Sequence, residues 1–273
     1  MMKRYPTALT IAGSDSGGCA GIQADLKTFS ALGVFGASVI TSITAQNTCE
    51  VRNVEVLSPR LVESQLLAVM EDITVDAVKT GMLPSAEIIE VVTGVLAEYG
   101  VPVIVDPVMV ATSGARLTAA SIADTFLSRL DRFSLITPNI PEAETLAGRE
   151  IKSVDDMSAA AAVLLDRGCQ AVLIKGGHLT ASESTDILFR QGQSSVAFTS
   201  RHVDTKNLHG TGCTLSSAIA GYMALGNDLE TAVSKAKDYI TAAIVAGSQV
   251  KTGHGCGPVD HFFSPEPLKI IEL

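Results

Sequence analysis

The chain has 273 residues, enough for one large domain or two small ones, and 47% of them are apolar, so a core of Ala, Val, Ile and Leu is within reach. A formal net charge of −9 repels phosphate backbones and sets nucleic acid aside as a partner, and no apolar run approaches the length of a membrane span. The five cysteines (Cys19, Cys49, Cys169, Cys213 and Cys256) are odd in number and never form a C-x-x-C pair, which argues against a disulfide framework or a zinc site. The apolar run before Ser14 and Asp15 is too short for a signal h-region, so the expectation is a soluble protein of a reducing compartment, the cytoplasm.

Taken in order, short apolar runs alternate with segments of helical period. "ALTIAG" (8–13) reads as a buried strand, "GIQADLKTFSALG" (21–33) as a helix ended by Gly33, and "ASVITSIT" (37–44) as a strand. "LVESQLLAVMEDI" (61–73) spaces its apolar residues for a helix, "DAVKTG" (76–81) is a strand, and Ser85 is the N-cap of a helix over 85–100. Strand 101–107, helix 119–130, strand 134–139 and helix 153–168, capped by Ser153, follow. "AVLIKGG" (171–177) is a strand, "TDILF" and "SSVAFTS" fit a hairpin, and two helices cover about 211–225 and 229–247. Such alternation with near-continuous apolar strands indicates one α/β domain over 1–273, with a mostly parallel sheet covered on both faces. A barrel has the same alternation; the paired strands near 185–199 favour an open sheet. Ligands of open sheets bind at the carboxyl ends of strands, where Asp15, Gln46, Lys79, Asp106, Asn139 and Lys175 fall.

Several segments carry chemistry. "GSDSGGCAGIQAD" (13–25) can cradle a phosphate or admit a ligand closely; the competing reading is a turn whose glycines serve backbone geometry. It is not a clean G-x-G-x-x-G, and no acid ends the next strand, so a dinucleotide site is weakly supported. A Walker-type loop is absent from the sequence. "HGTGC" (209–213) is the better anion site, because Gly210 and Gly212 leave amides open at a helix start; the alternative is a Gly-rich cap with a buried cysteine. "KGGH" (175–178) puts Lys175 at the strand-end rim, as a phosphate contact or a surface lysine. Asp106 in "VDPVM" and Asn139 and Glu142 in "TPNIPEAE" bring carboxylates to the same rim, a pattern that suits Mg²⁺, while Glu142 also suits a helix N-terminus. The five histidines show no metal-ligand spacing, and "GHGCGP" (253–258) is a loop without derivable chemistry.

Together, "ALTIAGSDSGGCAGIQADLKTF", "AQNT", "VKTGML", "DPVM", "TPNIPEAE", "KGGH" and "HGTGCT" resemble the hydroxymethylpyrimidine/phosphomethylpyrimidine kinases of thiamine biosynthesis, a branch of the ribokinase-like superfamily. The resemblance runs from about residue 7 to 262. It implies a single-domain three-layer α/β/α sandwich, ATP and Mg²⁺, a small pyrimidine substrate, and a homodimer. It implies that Gln46 reads the aminopyrimidine, that Gly13 and Asp25 line its pocket, and that Met82 and Val108 form apolar walls. Lys175 would contact phosphate, Asn139 and Glu142 would serve the metal and phosphate side, and Asp106 would lie near them. Gly210, Thr211, Gly212 and Cys213 would form an anion hole. Cys213, an aspartate position in the wider superfamily, would accept the proton of the hydroxymethyl group, with a thiolate favoured by the helix N-terminus. A pyridoxal-type kinase on the same scaffold is the nearest alternative; a dehydrogenase and a non-catalytic binding protein are the others.

Overall fold

A computed structural model describes residues 3–108, 120–176 and 183–272. The strands are β1 (Lys3–Arg4), β2 (Thr7–Asp15), β3 (Phe35–Gln46), β4 (Val51–Val56), β5 (Ala77–Thr80), β6 (Val103–Val105), β7 (Leu135–Ile136), β8 (Ala171–Lys175), β9 (Glu183–Arg190), β10 (Val196–Arg201) and β11 (Ile271–Glu272). The helices are α1 (Gly21–Ala31), α2 (Pro59–Met70), α3 (Ala86–Leu96), α4 (Ala120–Leu127), α5 (Ile140–Ala147), α6 (Val154–Asp166), α7 (Thr211–Ala224) and α8 (Leu229–Gly247). Ser85 and Ser153 cap α3 and α6 through their side chains, as their positions in the sequence suggest.

Nine strands form one sheet in the order β10-β9-β8-β7-β6-β5-β2-β3-β4. The run from β8 to β3 is parallel, and antiparallel pairs close both edges. Because side chains alternate along a strand, each strand feeds two cores. Leu9, Ile11, Val103 and Val105 pack toward α2 through α6, while Ala8 and Ile104 pack toward α1, α7 and α8. The result is the three-layer α/β/α arrangement.

The chain goes from β2 to β3 on one side, then returns to place β5 on the other side of β2. That reversal opens a crevice outside the carboxyl ends of the central strands, the usual ligand site of such sheets. Four elements escape the sequence reading: the two-residue strands β1 and β11, together with β4 and α5. β4 is exposed along nearly its whole length, so its residues carry no burial pattern. α5 is only eight residues long, and its first turn holds Pro141 and Glu142.

Candidate active site

A cleft of about 410 Å³ lies over the carboxyl ends of the strands. Gly13, Gln46, Met82, Val108 and His209 line it, together with the apolar Val203, Leu208, Ile240 and Ile244. Lys175, Asp106, Asn139, Glu142 and residues Gly210 to Cys213 line the same cleft. The last two residues of "KGGH", Gly177 and His178, and Met109 of "VDPVM" lie outside the described residues.

Each polar group is placed by a strand end or a cap. β6 stops at Pro107, and a tight turn from Val108 N–H to the Asp106 carbonyl (2.8 Å) brings both residues to the cleft. Lys175 ends β8 and donates to Asp106 Oδ1 at 3.0 Å. Burial works against the Lys175 charge, but Asp106 and Glu142 outweigh it, so its pKa stands above the ordinary lysine value. Asn139 and Glu142 form a reciprocal capping box on α5: the Asn139 side chain accepts from Glu142 N–H (2.9 Å), and Glu142 Oε2 accepts from Asn139 N–H (2.8 Å). A bulge between Ala45 and Gln46 turns the end of β3, and Ser16 clamps the Gln46 backbone on both sides.

Gly210 caps α7 in the left-handed region, φ 83°, and offers no side chain to the helix amides. The hydrogen bonds at that start run from Thr211 N–H to Leu208 O and from Thr214 N–H to Gly210 O. Gly212 and Cys213 N–H are left for a ligand, at the end of the helix where the dipole favours an anion. The loop after β2 behaves differently. Its Gly17, Cys19 and Ala20 amides are already taken by the Asp15 carboxylate at 2.8, 3.0 and 2.8 Å. The structure thus matches a turn and not a phosphate cradle, while Gly13, Ser14, Asp15, Ala20 and Gly21 line the cleft, as close approach of a ligand requires.

Two expectations are corrected. Asp25 does not line the cleft: it is wholly buried behind it, bonded to Lys79, Thr10 and Ser217. Its carboxylate is used up by these partners and reaches no ligand. Cys213 is not a resting thiolate. Burial pushes its pKa up to about 11, against the pull of Lys79 and the Gly21 amide, so the thiol keeps its proton at neutral pH.

Sequence reasoning also passed over a buried pair at the cleft wall, Lys237 and Asp186, joined at 2.8 Å. Asp186 accepts from Gly176 N–H (3.2 Å), next to Lys175. An acid inside the apolar run "TDILF", and a lysine on the Ala236–Ile240 face of α8, were the available signals.

With this geometry in place, comparison with known proteins is direct. The family model for phosphomethylpyrimidine kinase matches residues 15–260. The chain belongs to that family. It is 49% identical over 257 residues to the hydroxymethylpyrimidine/phosphomethylpyrimidine kinase of Rhizobium meliloti, covering 93% of this chain and 96% of that one. It is also 49% identical over 265 residues to a bifunctional thiamine biosynthesis protein of Geobacter sulfurreducens, covering 96% of this chain; there the chain spans about half the relative's length, 54%. Among solved structures, the ADP complex of a Bacillus subtilis pyridoxal kinase superposes with a TM-score of 0.86 at 37% identity, covering 94% of this chain and 98% of that one. The fold is the ribokinase-like one the sequence motifs implied, and the family is one of kinases.

Proposed function

We propose that this chain transfers the terminal phosphoryl group of ATP to the hydroxymethyl oxygen of 4-amino-5-hydroxymethyl-2-methylpyrimidine, and then phosphorylates the monophosphate to the pyrophosphate, a step toward thiamine diphosphate. The observation that carries this reading is one cleft holding a side-chain amide, Gln46, together with an uncapped helix start beside the Lys175–Asp106 pair. The amide offers an acceptor beside a donor, the complement of a ring amine beside a ring nitrogen. Gly13, Met82 and Val108 flank the ring, and the apolar slot of Val203, Leu208, Ile240 and Ile244 suits a nucleobase.

The hydroxymethyl oxygen attacks the terminal phosphorus while the bond to the bridging oxygen breaks, ADP leaves with that oxygen, and the hydroxyl proton passes to a non-bridging oxygen of the transferred phosphoryl group. Lys175 and the Gly212 and Cys213 amides bear the charge on the transferring group, which is where phosphoryl transfer draws most of its rate. Cys213 stands as a neutral thiol beside the helix start, so positioning, not a resting thiolate, is its contribution. Asp106 and Glu142 are the residues that would hold Mg²⁺. Two carboxylates lining the cleft suit an ion that keeps most of its waters and is carried in by phosphates. When bound, Mg²⁺ neutralises phosphate charge.

The reading includes a single domain and a homodimer. The exposed Ile43, Val54 and Val56 at the β3–β4 edge support the dimer. Five free cysteines support a reducing compartment, the cytoplasm, and no described helix is long and apolar enough to cross a membrane. The second reading is a pyridoxal-type kinase, kept by the fold match at 37% identity and weakened by the 49% match to a pyrimidine kinase. A coupled ADP-release assay with the pyrimidine, its monophosphate and pyridoxal decides. The pyrimidine should give the highest kcat/KM; a higher value for pyridoxal would replace this reading with the second.

A further inference from the structure

The Gln46 amide lines the cleft and offers a donor beside an acceptor, and it has two orientations. Its nitrogen lies 2.9 Å from His209 Nε2, across 163 residues of sequence. His209 is 5% exposed, lines the cleft, and is pinned by its own backbone: its N–H donates to Gly257 O at 3.1 Å, and it bridges to Pro258. The ring therefore has little freedom to follow the amide, and the amide must conform to the ring.

The chemistry of the imidazole decides which way. Burial holds the His209 pKa below the ordinary histidine value, so the ring is neutral at pH 7 and carries one N–H. Nδ1 is buried with no hydrogen-bond partner among the described residues, and the group 2.9 Å from Nε2 is the Gln46 amide nitrogen, which can only donate. A bond from that nitrogen requires a bare Nε2, which puts the single ring proton on Nδ1. Nε2 is then bare and can only accept, so the amide must present nitrogen to it. The remaining contact of the amide, Thr44 Oγ1 to Oε1 at 3.3 Å, is longer, and that hydroxyl also has the Ser14 carbonyl at 3.0 Å. His209 is thus the stronger of the two determinants.

We propose that His209 is a positioning residue for substrate choice: by accepting from one N–H of Gln46 it fixes the order in which the amide shows its oxygen and its second N–H to the ligand. This rests on the pyrimidine-kinase reading above. In this order the amide pairs with a ring amine beside a bare ring nitrogen. Turned over, it pairs with a ring carbonyl beside a ring N–H, the oxo analogue of the same pyrimidine. The ligand cannot compensate by turning over itself, because its hydroxymethyl group must reach the phosphoryl group at the other side of the ring. His209 therefore separates the aminopyrimidine from its oxo analogue without having to touch the amine.

The test is calorimetric titration of the aminopyrimidine and its 4-oxo analogue into wild type, His209→Phe, His209→Gln and Gln46→Leu. Wild type should favour the amine. His209→Phe, which has no acceptor, should lose roughly 3- to 10-fold of that preference, the worth of one hydrogen bond. His209→Gln, which restores an acceptor near the same place, should recover most of it. Kinetically, the effect should fall on KM for the pyrimidine more than on kcat or KM for ATP, whereas a loosened helix start would move all three. ¹⁵N NMR of the wild-type imidazole should show the proton on Nδ1, and this measurement holds even if His209→Phe fails to fold. An Nε2–H ring, or an unchanged amine preference in His209→Phe alongside its loss in Gln46→Leu, overturns the proposal and leaves the substrate reading standing. A wild type with no preference for the amine overturns both.

Discussion

Lys79 and Asp25 form an ion pair with no exposure on either side chain, the ammonium 2.9 and 2.8 Å from the two carboxylate oxygens. Thr10 and Ser217 complete the carboxylate at 2.6 and 2.5 Å. The quartet joins β2, α1, β5 and α7, and the Lys79 charge acts directly on the Cys213 thiol. It is a foundation under the active site, which is why a residue that a family resemblance puts on the pocket wall turns out to be behind it.

Removing either partner leaves a buried charge alone, which costs about 3–5 kcal/mol, whereas an apolar replacement of both is far milder. Asp25→Ala and Lys79→Met should each lower stability by about that much in urea unfolding, and Asp25→Leu with Lys79→Met should recover a large part. A ligand-contacting Asp25 would show the opposite pattern: intact stability and a raised KM for the pyrimidine.

How much was readable beforehand follows from which signals are local. Strands β2, β5, β6 and β8 and helices α1, α3, α6 and α8 announce themselves through apolar period and caps such as Ser85 and Ser153. β4 does not, because an edge strand exposed along most of its length owes its existence to pairing with β3. Strand ends pointed to Asp15, Gln46, Lys79, Asp106, Asn139 and Lys175, and all but the wholly buried Lys79 line one crevice, since topology alone gathers such residues there. What stayed hidden were pairings: Asp25 with Lys79, Gln46 with His209, Lys237 with Asp186. Partners separated by 54, 163 and 51 residues leave no trace in spacing. The protonation of Cys213 was misjudged for a related reason: the helix start was visible in "HGTGC", but the burial that outweighs it was not.

Lys175→Ala should reduce kcat by roughly 10²-fold or more, the usual cost of losing a charge stabiliser of the transition state, with a smaller effect on pyrimidine affinity. Stopped assays at saturating ATP separate the two. The substitution also leaves Asp106, 4% exposed, without its cation, so some stability should go with it. An unchanged kcat would take Lys175 out of the chemistry and leave it a partner for Asp106 only.

Cys213 gives a pH prediction with a definite sign. Its thiol has an ordinary value of 9.0 and a folded value of about 11. Between these, the unfolded chain has released the proton and the folded chain has not, so the contribution to stability is complete below pH 9 and is lost as pH rises toward 11. Cys213→Ser removes a titrating group, and its stability relative to wild type should therefore improve across that window. Cys169, raised to about 11 by burial as well, stays in both proteins and cancels in the difference. Alkylation of Cys213 by iodoacetamide should be slow at pH 8 and quicken with pH. Fast modification at pH 7 would mean a thiolate and restore the proton-acceptor role.

Two glycines in "HGTGC" separate architecture from chemistry. Gly210 has φ 83°, and a Cβ there would run into the Cys19 carbonyl. Gly210→Ala is penalised twice, by left-handed backbone and by an immovable neighbour, and should unfold more readily by a few kcal/mol, about 2 or more. Gly212 is in ordinary helical backbone, and a Cβ there would lie 3.3 Å from Asp106 Oδ2 and 3.4 Å from Lys175 Nζ. The neighbours are side-chain ends, which can give by a few tenths of an ångström, and alanine is the better helix former by about 0.5–1 kcal/mol. Gly212→Ala should therefore match or slightly exceed wild type in thermal stability. Its methyl group, however, pushes on the ion pair that faces the transferring phosphoryl group, where displacements well under 1 Å already cost rate. A fall in kcat on the order of 10-fold with an unchanged melting temperature is the expected result. Full activity in Gly212→Ala would mean that the phosphoryl group passes elsewhere, and that the open amides of α7 are not its binding site.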